Sequence, residues 1–166
     1  MGEGNVTTAK DTALLCSELA KYKNLTPYLT CWLDTVRDGK AELVNLNRLV
    51  RTYKGVTGMK AWGSEKAGSC IAATAEKGDM SVCVVLNGCD SQENMNAEAK
   101  KLLNLAFDTY EIYTPELPED MVKETVVCGG EELSVELAPE GLYPIVIPRG
   151  TSVSYTHLTL PTILRV

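Results

Sequence analysis

The sequence predicts an α/β fold in which helices cover an antiparallel sheet. Two long apolar stretches, residues 68–75 and 80–86, are separated by Lys77-Gly78-Asp79, and helical patterns precede and follow them. A glycine turn between two apolar stretches indicates a β-hairpin. Because both stretches are apolar at successive positions, we expect a sheet that is covered on both faces.

The first helix is expected to begin after Thr7-Thr8 and to run to about Tyr22. Threonine is a good N-cap, and Asp11 places an acid in the first turn. Apolar residues then recur at the spacing of one helix face, at Ala13, Cys16, Leu19 and Ala20.

The segment between this helix and the hairpin is predicted from shorter patterns. Asn24–Pro27 is turn-like, whereas Leu29–Trp32 fits either a helical turn or a strand. Asp38-Gly39 is a turn signal, and Leu43–Leu46 is a candidate short strand. Gly55–Trp62 is predicted to be a strand that adjoins the hairpin.

A second long helix is expected from about Gln92 to Tyr113, with Asp90 or Ser91 as its N-cap. Its predicted apolar stripe comprises Leu102, Leu105, Ala106 and Tyr110. Together the two helices and the hairpin indicate an α/β sandwich closed by a helix.

The pattern changes after residue 114. An acidic, proline-containing linker is followed by three alternating segments, 123–127, 131–137 and 142–147. Glycine and proline turns separate these segments, which is typical of β-strands. We therefore predict a first unit over residues 1–114, a linker over 115–121 and the start of a small all-β domain over 122–152.

Residues 153–166 are interpreted as an artefact. The stretch Val153–Thr162 resembles the translation of a sequencing adaptor, so the tail is excluded from fold reasoning. His157, the only histidine in the chain, lies in this tail. Catalysis with an imidazole base is therefore not expected.

Composition excludes several classes of protein. The formal charge is −6, and lysine and arginine are scattered, whereas nucleic-acid binding needs a basic stripe. No apolar run approaches the roughly 18 residues of a membrane helix, and residues 1–5 lack a signal-peptide pattern. None of the 6 cysteines forms a C-x-x-C pair, so we expect free thiols and no metal site.

Several motifs resemble one known family. Three segments carry the resemblance: Thr8–Leu15, Leu43–Leu49 with Gly58-Met59-Lys60 and Lys66-Ala67-Gly68 after it, and Ala97–Leu103. They are similar to the low-molecular-mass penicillin-binding proteins of the serine-type D-alanyl-D-alanine carboxypeptidase family (peptidase S11-like). The resemblance covers most of residues 7–150.

This resemblance implies part of a β-lactamase/transpeptidase-like sandwich. It also implies a parent hydrolase that removes the terminal D-Ala from peptidoglycan stem peptides through a serine acyl-enzyme, without a cofactor. β-Lactams would acylate the same serine in the parent. The parent is expected in the cell envelope, at the outer face of the cytoplasmic membrane.

The catalytic motifs of the family are incomplete in this sequence. Neither S-x-x-K nor S-x-N occurs, so the nucleophile and its base are absent and we expect a C-terminal fragment that is inactive alone. The resemblance places Lys60 at the lysine of K-T-G, where it would hold the substrate carboxylate. The next two positions, Ala61 and Trp62, depart from Thr-Gly, and Trp62 is expected on the same strand face as Lys60, intruding into the cleft.

Other interpretations stay open at this point. By spacing alone, Lys60 is a solvated lysine near a strand end, and we favour a solvated or structural role for Lys66. The Ala61-Trp62 change is either a true substitution or a sequencing error. For Trp62, a stray substitution or a reading error is favoured over a specialised pocket.

Two other kinds of protein compete with the hydrolase fragment. The alternative function is a non-catalytic cell-envelope module that binds a peptide or a partner. A class A β-lactamase relative is disfavoured, because no deacylating glutamate is found. Without strands encoded upstream, we also expect the hairpin to expose apolar faces at residues 71–75 and 82–86.

Overall fold

A computed structural model describes residues 6–116, 124–126, 134–136 and 143–153. The helices are α1 (Ala9–Ala20), α2 (Thr26–Leu29), α3 (Leu49–Thr52) and α4 (Gln92–Thr109), and a 3₁₀ turn spans Lys23–Leu25. The strands are β1 (Leu33–Val36), β2 (Ala41–Val44), β3 (Val56–Ser64), β4 (Gly68–Lys77), β5 (Met80–Cys89), β6 (Tyr110–Tyr113), β7 (Glu124–Val126), β8 (Ser134–Glu136) and β9 (Ile145–Pro148). Cys128, His157 and most of the predicted linker and tail lie outside the described residues.

Helix α1 begins as the sequence predicts. The Thr8 hydroxyl accepts a hydrogen bond from the Asp11 backbone N–H at 3.1 Å and donates to the Asp11 carboxylate at 2.7 Å. This cap satisfies one of the N–H groups that a helix start leaves without a partner. Cys16 is the buried residue of α1, as its place in the predicted apolar stripe implies.

The segment between α1 and β3 folds into short elements. The turn-like Asn24–Pro27 contributes to the 3₁₀ turn and to α2. Because α2 ends at Leu29 and β1 begins at Leu33, neither a helical turn nor a strand describes Leu29–Trp32 as a whole. β1 and β2 form an antiparallel hairpin, with Val36 opposite Ala41. The predicted turn at Asp38-Gly39 is confirmed, and both residues have positive φ angles.

The centre of the fold is an antiparallel sheet in the order β3-β4-β5. Lys77 opposes Met80 at the predicted glycine turn, where Gly78 has φ +61°. One face packs against α4 and α3 through a cluster that includes Leu49, Ile71 and Leu103. The other face packs against α1, where Cys16 contacts Ala72 and its neighbours. The prediction of a sheet covered on both faces is confirmed.

The expectation that the hairpin exposes its apolar faces is wrong. Ile71 to Ala75 are buried without exception, Val84 is buried, and Val82, Val85 and Leu86 are partly buried. The reason is that α1 and α4, which cover the two faces, both belong to this chain. Large apolar side chains are exposed on the outer side of α1 instead, at Leu14 and Leu15.

Helix α4 differs from its prediction in two ways. Ser91 is its N-cap and accepts from the Asn94 N–H at 3.1 Å, but the helix ends at Thr109 rather than at Tyr113. The buried stripe is also different, because Leu102, Leu105 and Tyr110 are exposed. The residues of α4 that are buried against the sheet are Met95, Ala99, Leu103 and Phe107.

The end of α4 is held by a distant part of the chain. Residues Tyr110–Tyr113 form β6, which pairs antiparallel with β9. The Arg149 N–H donates to the carbonyl of Thr109 at 2.8 Å, and its guanidinium donates to the carbonyl of Phe107 at 3.0 Å. These bonds satisfy carbonyls that the last helical turn leaves open. The guanidinium also forms an ion pair with Glu111 at 3.6 Å.

The described parts of the predicted all-β region contain strands. β7 pairs antiparallel with β8, with Glu124 opposite Glu136, and β9 overlaps the third predicted segment. The domain boundaries at residues 114/115 and 121/122 stay predictions. Within the described residues, no helix combines the length and apolar character required to span a bilayer.

The corrected stripe of α4 leads to a test with two leucines. Replacing Leu103, which is 0% exposed, by alanine leaves a cavity in the main core, so we expect a loss of about 2–5 kcal/mol in unfolding free energy. Leu105→Ala is the matched control, because Leu105 is 61% exposed and should change stability by about 0.5 kcal/mol or less. Urea denaturation followed by circular dichroism measures both; equal losses would contradict the packing described here.

Candidate functional site

Lys60 lies near the middle of β3, at one edge of the central sheet. β3 pairs with β4 on one side, and in the described part of the chain no strand pairs with its other side. Lys60 is opposite Ala72 and its side chain is exposed. On the side away from β4, backbone N–H and C=O groups of β3 face outward from the sheet. The site therefore combines these groups with the cation of Lys60.

The neighbours of Lys60 point to opposite sides of the sheet. Ala61 is opposite Ile71 and is only 3% exposed within the main core beneath α4. Trp62 is half-buried and packs against the cluster of Cys16, Met59 and Ala72 on the α1 side. Alternation along β3 thus places Trp62 on the face of Lys60, as predicted.

Trp62 does not simply project into solvent. Its ring is partly covered by the α1-side cluster, and it also lines a shallow cleft of about 430 Å³ with Leu46, Ser64 and Asp90. Trp62 therefore belongs both to the α1-side cluster and to the lining of this cleft.

The turn after β3 allows a close approach of backbones. The Ser64 hydroxyl accepts from the Ala67 N–H at 3.1 Å, and Gly68 has φ +65°. A Cβ atom at Gly68 would lie 2.9 Å from the carbonyl oxygen of Cys89. Lys66 is exposed in this turn, which agrees with the solvated role favoured for it.

Two asparagines support the segment that leads to β3, a role that is not among the sequence-based expectations. The Asn45 amide donates to the carbonyls of Leu29 at 3.3 Å and Cys31 at 3.0 Å, and its oxygen accepts from the Asn47 N–H at 2.9 Å. Asn47 is fully buried, and its oxygen accepts from the Leu49 N–H at 3.1 Å. The signal in the sequence is an Asn-x-Asn pattern just before a short apolar helix, where asparagine side chains hydrogen-bond to nearby backbone.

A second contact fixes the far side of β3 through Tyr53. Its hydroxyl donates to the side-chain oxygen of Asn104 on α4 at 2.8 Å. Partial burial raises the pKa of Tyr53, and the Asp108 carboxylate adds to this rise. Tyr53 therefore remains a neutral hydrogen-bond donor that joins the start of β3 to α4.

The groups that the structure brings together at this site are suited to binding. A serine nucleophile needs an adjacent base, and neither S-x-x-K nor S-x-N occurs in the sequence. Among the described residues, no three histidine, cysteine, aspartate or glutamate side chains come close enough to hold a metal ion. Chemically, the site offers a lysine cation, a strand edge and an aromatic ring.

Comparisons with known proteins agree on one family. Residues 2–90 match the family profile described as D-alanyl-D-alanine carboxypeptidase. The D-alanyl-D-alanine carboxypeptidase DacF of Bacillus subtilis is 32% identical over 151 residues, which are 89% of this chain and 39% of that protein. The corresponding values for DacC of Escherichia coli are 30% over 148 residues, 89% and 37%. The chain thus spans about two fifths of these relatives.

Solved structures show the same fold. Penicillin-binding protein D2 from Listeria monocytogenes, in its cefotaxime-bound form, matches with a TM-score of 0.58 and 27% identity over 64% of this chain and 44% of that one. Penicillin-binding protein 5 from Haemophilus influenzae matches with a TM-score of 0.72 over 87% of this chain and 42% of that one. Its identity is 24%, so it supports the fold alone. The transpeptidase-like fold expected from the sequence is confirmed.

The close approach at Gly68 can be tested against a second glycine of similar conformation. Gly68→Ala and Gly39→Ala both force alanine into a left-handed conformation, which costs about 1–2 kcal/mol. Gly39 has open space around it, whereas Gly68 lies against the backbone of β5, so we expect a further loss of about 1–3 kcal/mol for Gly68→Ala alone. The difference between the two unfolding free energies is the measurement; a difference near zero would refute the close contact.

Proposed function

Because this chain belongs to the D-alanyl-D-alanine carboxypeptidase family, we propose that it forms the substrate-binding wall of a serine-type enzyme that removes the terminal D-Ala from peptidoglycan stem peptides. The observation that carries the proposal is the position of Lys60. It lies within the family match, at an edge of β3 that pairs with no other strand among the described residues, and its side chain is exposed to solvent.

The strand edge suits an extended peptide. A peptide that aligns with an open strand can form main-chain hydrogen bonds with it, and side-chain contacts then supply selectivity. The substrate ends in a carboxylate, which an ammonium group binds through a charge-assisted hydrogen bond. Lys60 would therefore set the position of the chain terminus and, through it, the position of the scissile bond along β3.

The chemical step needs groups that this sequence lacks. In the complete enzyme, a serine hydroxyl attacks the carbonyl of the penultimate D-Ala, the terminal D-Ala leaves, and water hydrolyses the acyl-enzyme. The serine and its lysine base belong to S-x-x-K, and a further motif, S-x-N, assists the proton transfers. Since both motifs are absent here, we propose that this chain alone binds but does not react.

The same proposal covers ligands and location. The Listeria penicillin-binding protein D2 has been solved with cefotaxime and with ampicillin bound. We expect a complete enzyme that contains this chain to react with β-lactams of the same class. The family consists of cell-envelope proteins, and we place the complete enzyme at the outer face of the cytoplasmic membrane, where peptidoglycan is accessible.

The residues after Lys60 favour a second candidate, a non-catalytic envelope module that binds a peptide or a partner. Ala61 has no hydroxyl to offer a carboxylate, and its methyl group is buried in the core. Trp62 places a half-buried ring on the Lys60 face, where the family has glycine. Either change would weaken binding of a substrate terminus without disturbing the sheet.

Labelling with a fluorescent penicillin tests the absence of a nucleophile. The purified chain should show no covalent label after denaturing electrophoresis, because a stable adduct requires an activated serine. A complete family member, such as DacF of Bacillus subtilis, serves as the positive control. A covalent adduct on any serine of this chain would disprove the proposal that it is inactive alone.

A chimera separates the two candidate functions. In it, this chain replaces the matching two fifths of a complete family member, which supplies the two absent motifs. If the chain forms the substrate-binding part of a hydrolase, the double variant Ala61→Thr with Trp62→Gly should restore penicillin labelling and D-Ala release. Adding Lys60→Ala to this double variant should lower kcat/KM by roughly 10- to 100-fold.

Two outcomes of the chimera experiment would contradict the hydrolase proposal. One is a folded, restored chimera that remains inactive, which favours the non-catalytic module. The other is full activity after Lys60→Ala. Lys66→Ala is the matched control, because Lys66 is also an exposed lysine nearby but lies in the turn.

A further inference from the structure

Two thiols meet at the interface between α1 and the central sheet. Cys16 is the buried residue of α1, at 6% exposure, and Cys83 on β5 packs directly against its cluster. Each thiol also influences the pKa of the other, as neighbouring groups do. The two cysteines are therefore neighbours in space, although they are far apart in the sequence.

Cys83 is also accessible from outside. A cleft of about 320 Å³ opens beside it, between the end of α1 and the sheet, and is lined among others by Ser17, Lys21 and Glu76. Cys83 is among the residues that line this cleft, so a reagent that enters it reaches this side chain. Cys16 belongs to the cluster against which Cys83 packs, so a second thiol is close by.

The other described cysteines are arranged differently. Cys70 donates to the carbonyl of Ala67 at 3.4 Å and accepts from the Gly88 N–H at 3.5 Å, so its sulfur belongs to the turn that ends β3. Cys31 is exposed near the β1–β2 hairpin, and Cys89 at the end of β5 packs against the main core on the α4 side. None of these three lies between α1 and the sheet, as Cys16 and Cys83 do.

We propose that Cys16 and Cys83 form a disulfide that ties α1 to β5 when the protein meets a small disulfide oxidant such as oxidised glutathione. In the first step the Cys83 thiolate attacks one glutathione sulfur, and one molecule of reduced glutathione leaves. In the second step the Cys16 thiolate attacks the Cys83 sulfur of the mixed disulfide and releases the second glutathione. The two thiol protons end on the two glutathione molecules, so two thiols are oxidised and one glutathione disulfide is reduced.

The environment of the pair sets the rate and the consequence. Burial, reinforced by the neighbouring Cys16, raises the pKa of Cys83 to about 12, and burial also raises the pKa of Cys16. Thiolates are therefore scarce at neutral pH, and the exchange is slow. The bond closes a long loop and so restricts the conformations of the unfolded chain. Its formation also suits the proposed location in the cell envelope, because disulfides persist in oxidising compartments.

Thiol counting on the purified chain tests the proposal. After incubation with oxidised glutathione at pH 8.5, the number of reactive thiols should fall from six to four. Maleimide labelling in denaturant and intact mass measure this number. Non-reducing peptide mapping should identify a peptide that links Cys16 to Cys83. The melting temperature should rise by about 5–15 °C and return to its starting value after reduction.

Single variants provide the controls. Cys31→Ser should still lose two thiols and form the same linked peptide, whereas Cys83→Ser should form no linked peptide. The reversible rise in melting temperature is measured in the unaltered chain. The test therefore does not depend on how well Cys83→Ser folds. The proposal is overturned if all six thiols persist, if only a mixed disulfide forms, or if the linked peptide joins other cysteines.

Discussion

The need to cover β4 on both faces governs this structure. β4 is the central strand, and its segment Ile71–Ala75 is apolar except for Thr74 and fully buried. A strand of this kind is stable only if packing removes both of its faces from water. Helix α4 covers one face and α1 the other, so the sheet and both helices depend on one another. Thr74 is accommodated because its hydroxyl pairs with that of Thr57 at 2.9 Å.

This constraint also places the candidate site. The antiparallel register sets Lys60 opposite Ala72 and Ala61 opposite Ile71, so burial of β4 decides which side chains of β3 face which helix. Lys60 reaches solvent because it is at the sheet edge, and Ala61 cannot reach solvent because its partner lies in the main core. The hydrogen bonds of Asn45 and Asn47 then fix the chain that enters β3.

Local signals in the sequence were sufficient for the elements that are stabilised locally. The Thr8 cap, the Asp38-Gly39 turn and the hairpin around Gly78 were predicted because each depends on residues close in sequence. The stripe of α4 was assigned wrongly because the helix carries two apolar rows, and only contact with Ile71 and its neighbours selects the row of Leu103. The end of α4 could not be predicted, since Arg149 satisfies its carbonyls from a remote position.

In the candidate site, too, features set by nearby residues were predicted, whereas features set by remote contacts were not. The position of Lys60 on a strand followed from the pattern of β3, while its proposed role came from family resemblance rather than from periodicity. The supporting asparagines were missed because a polar side chain that bonds to backbone leaves no periodic trace. Contact between Cys16 and Cys83 was equally hidden, as it joins a helix to a strand far along the chain.

The clasp formed by β6, β9 and Arg149 has a consequence for evolution. Since Tyr113 on β6 lies opposite Ile145 on β9, the stretch of chain between them begins and ends at neighbouring positions. The entropic cost of closing such an excursion grows only slowly with its length. Natural variants can therefore lengthen, shorten or exchange the intervening stretch while the sheet and its helices stay unaltered.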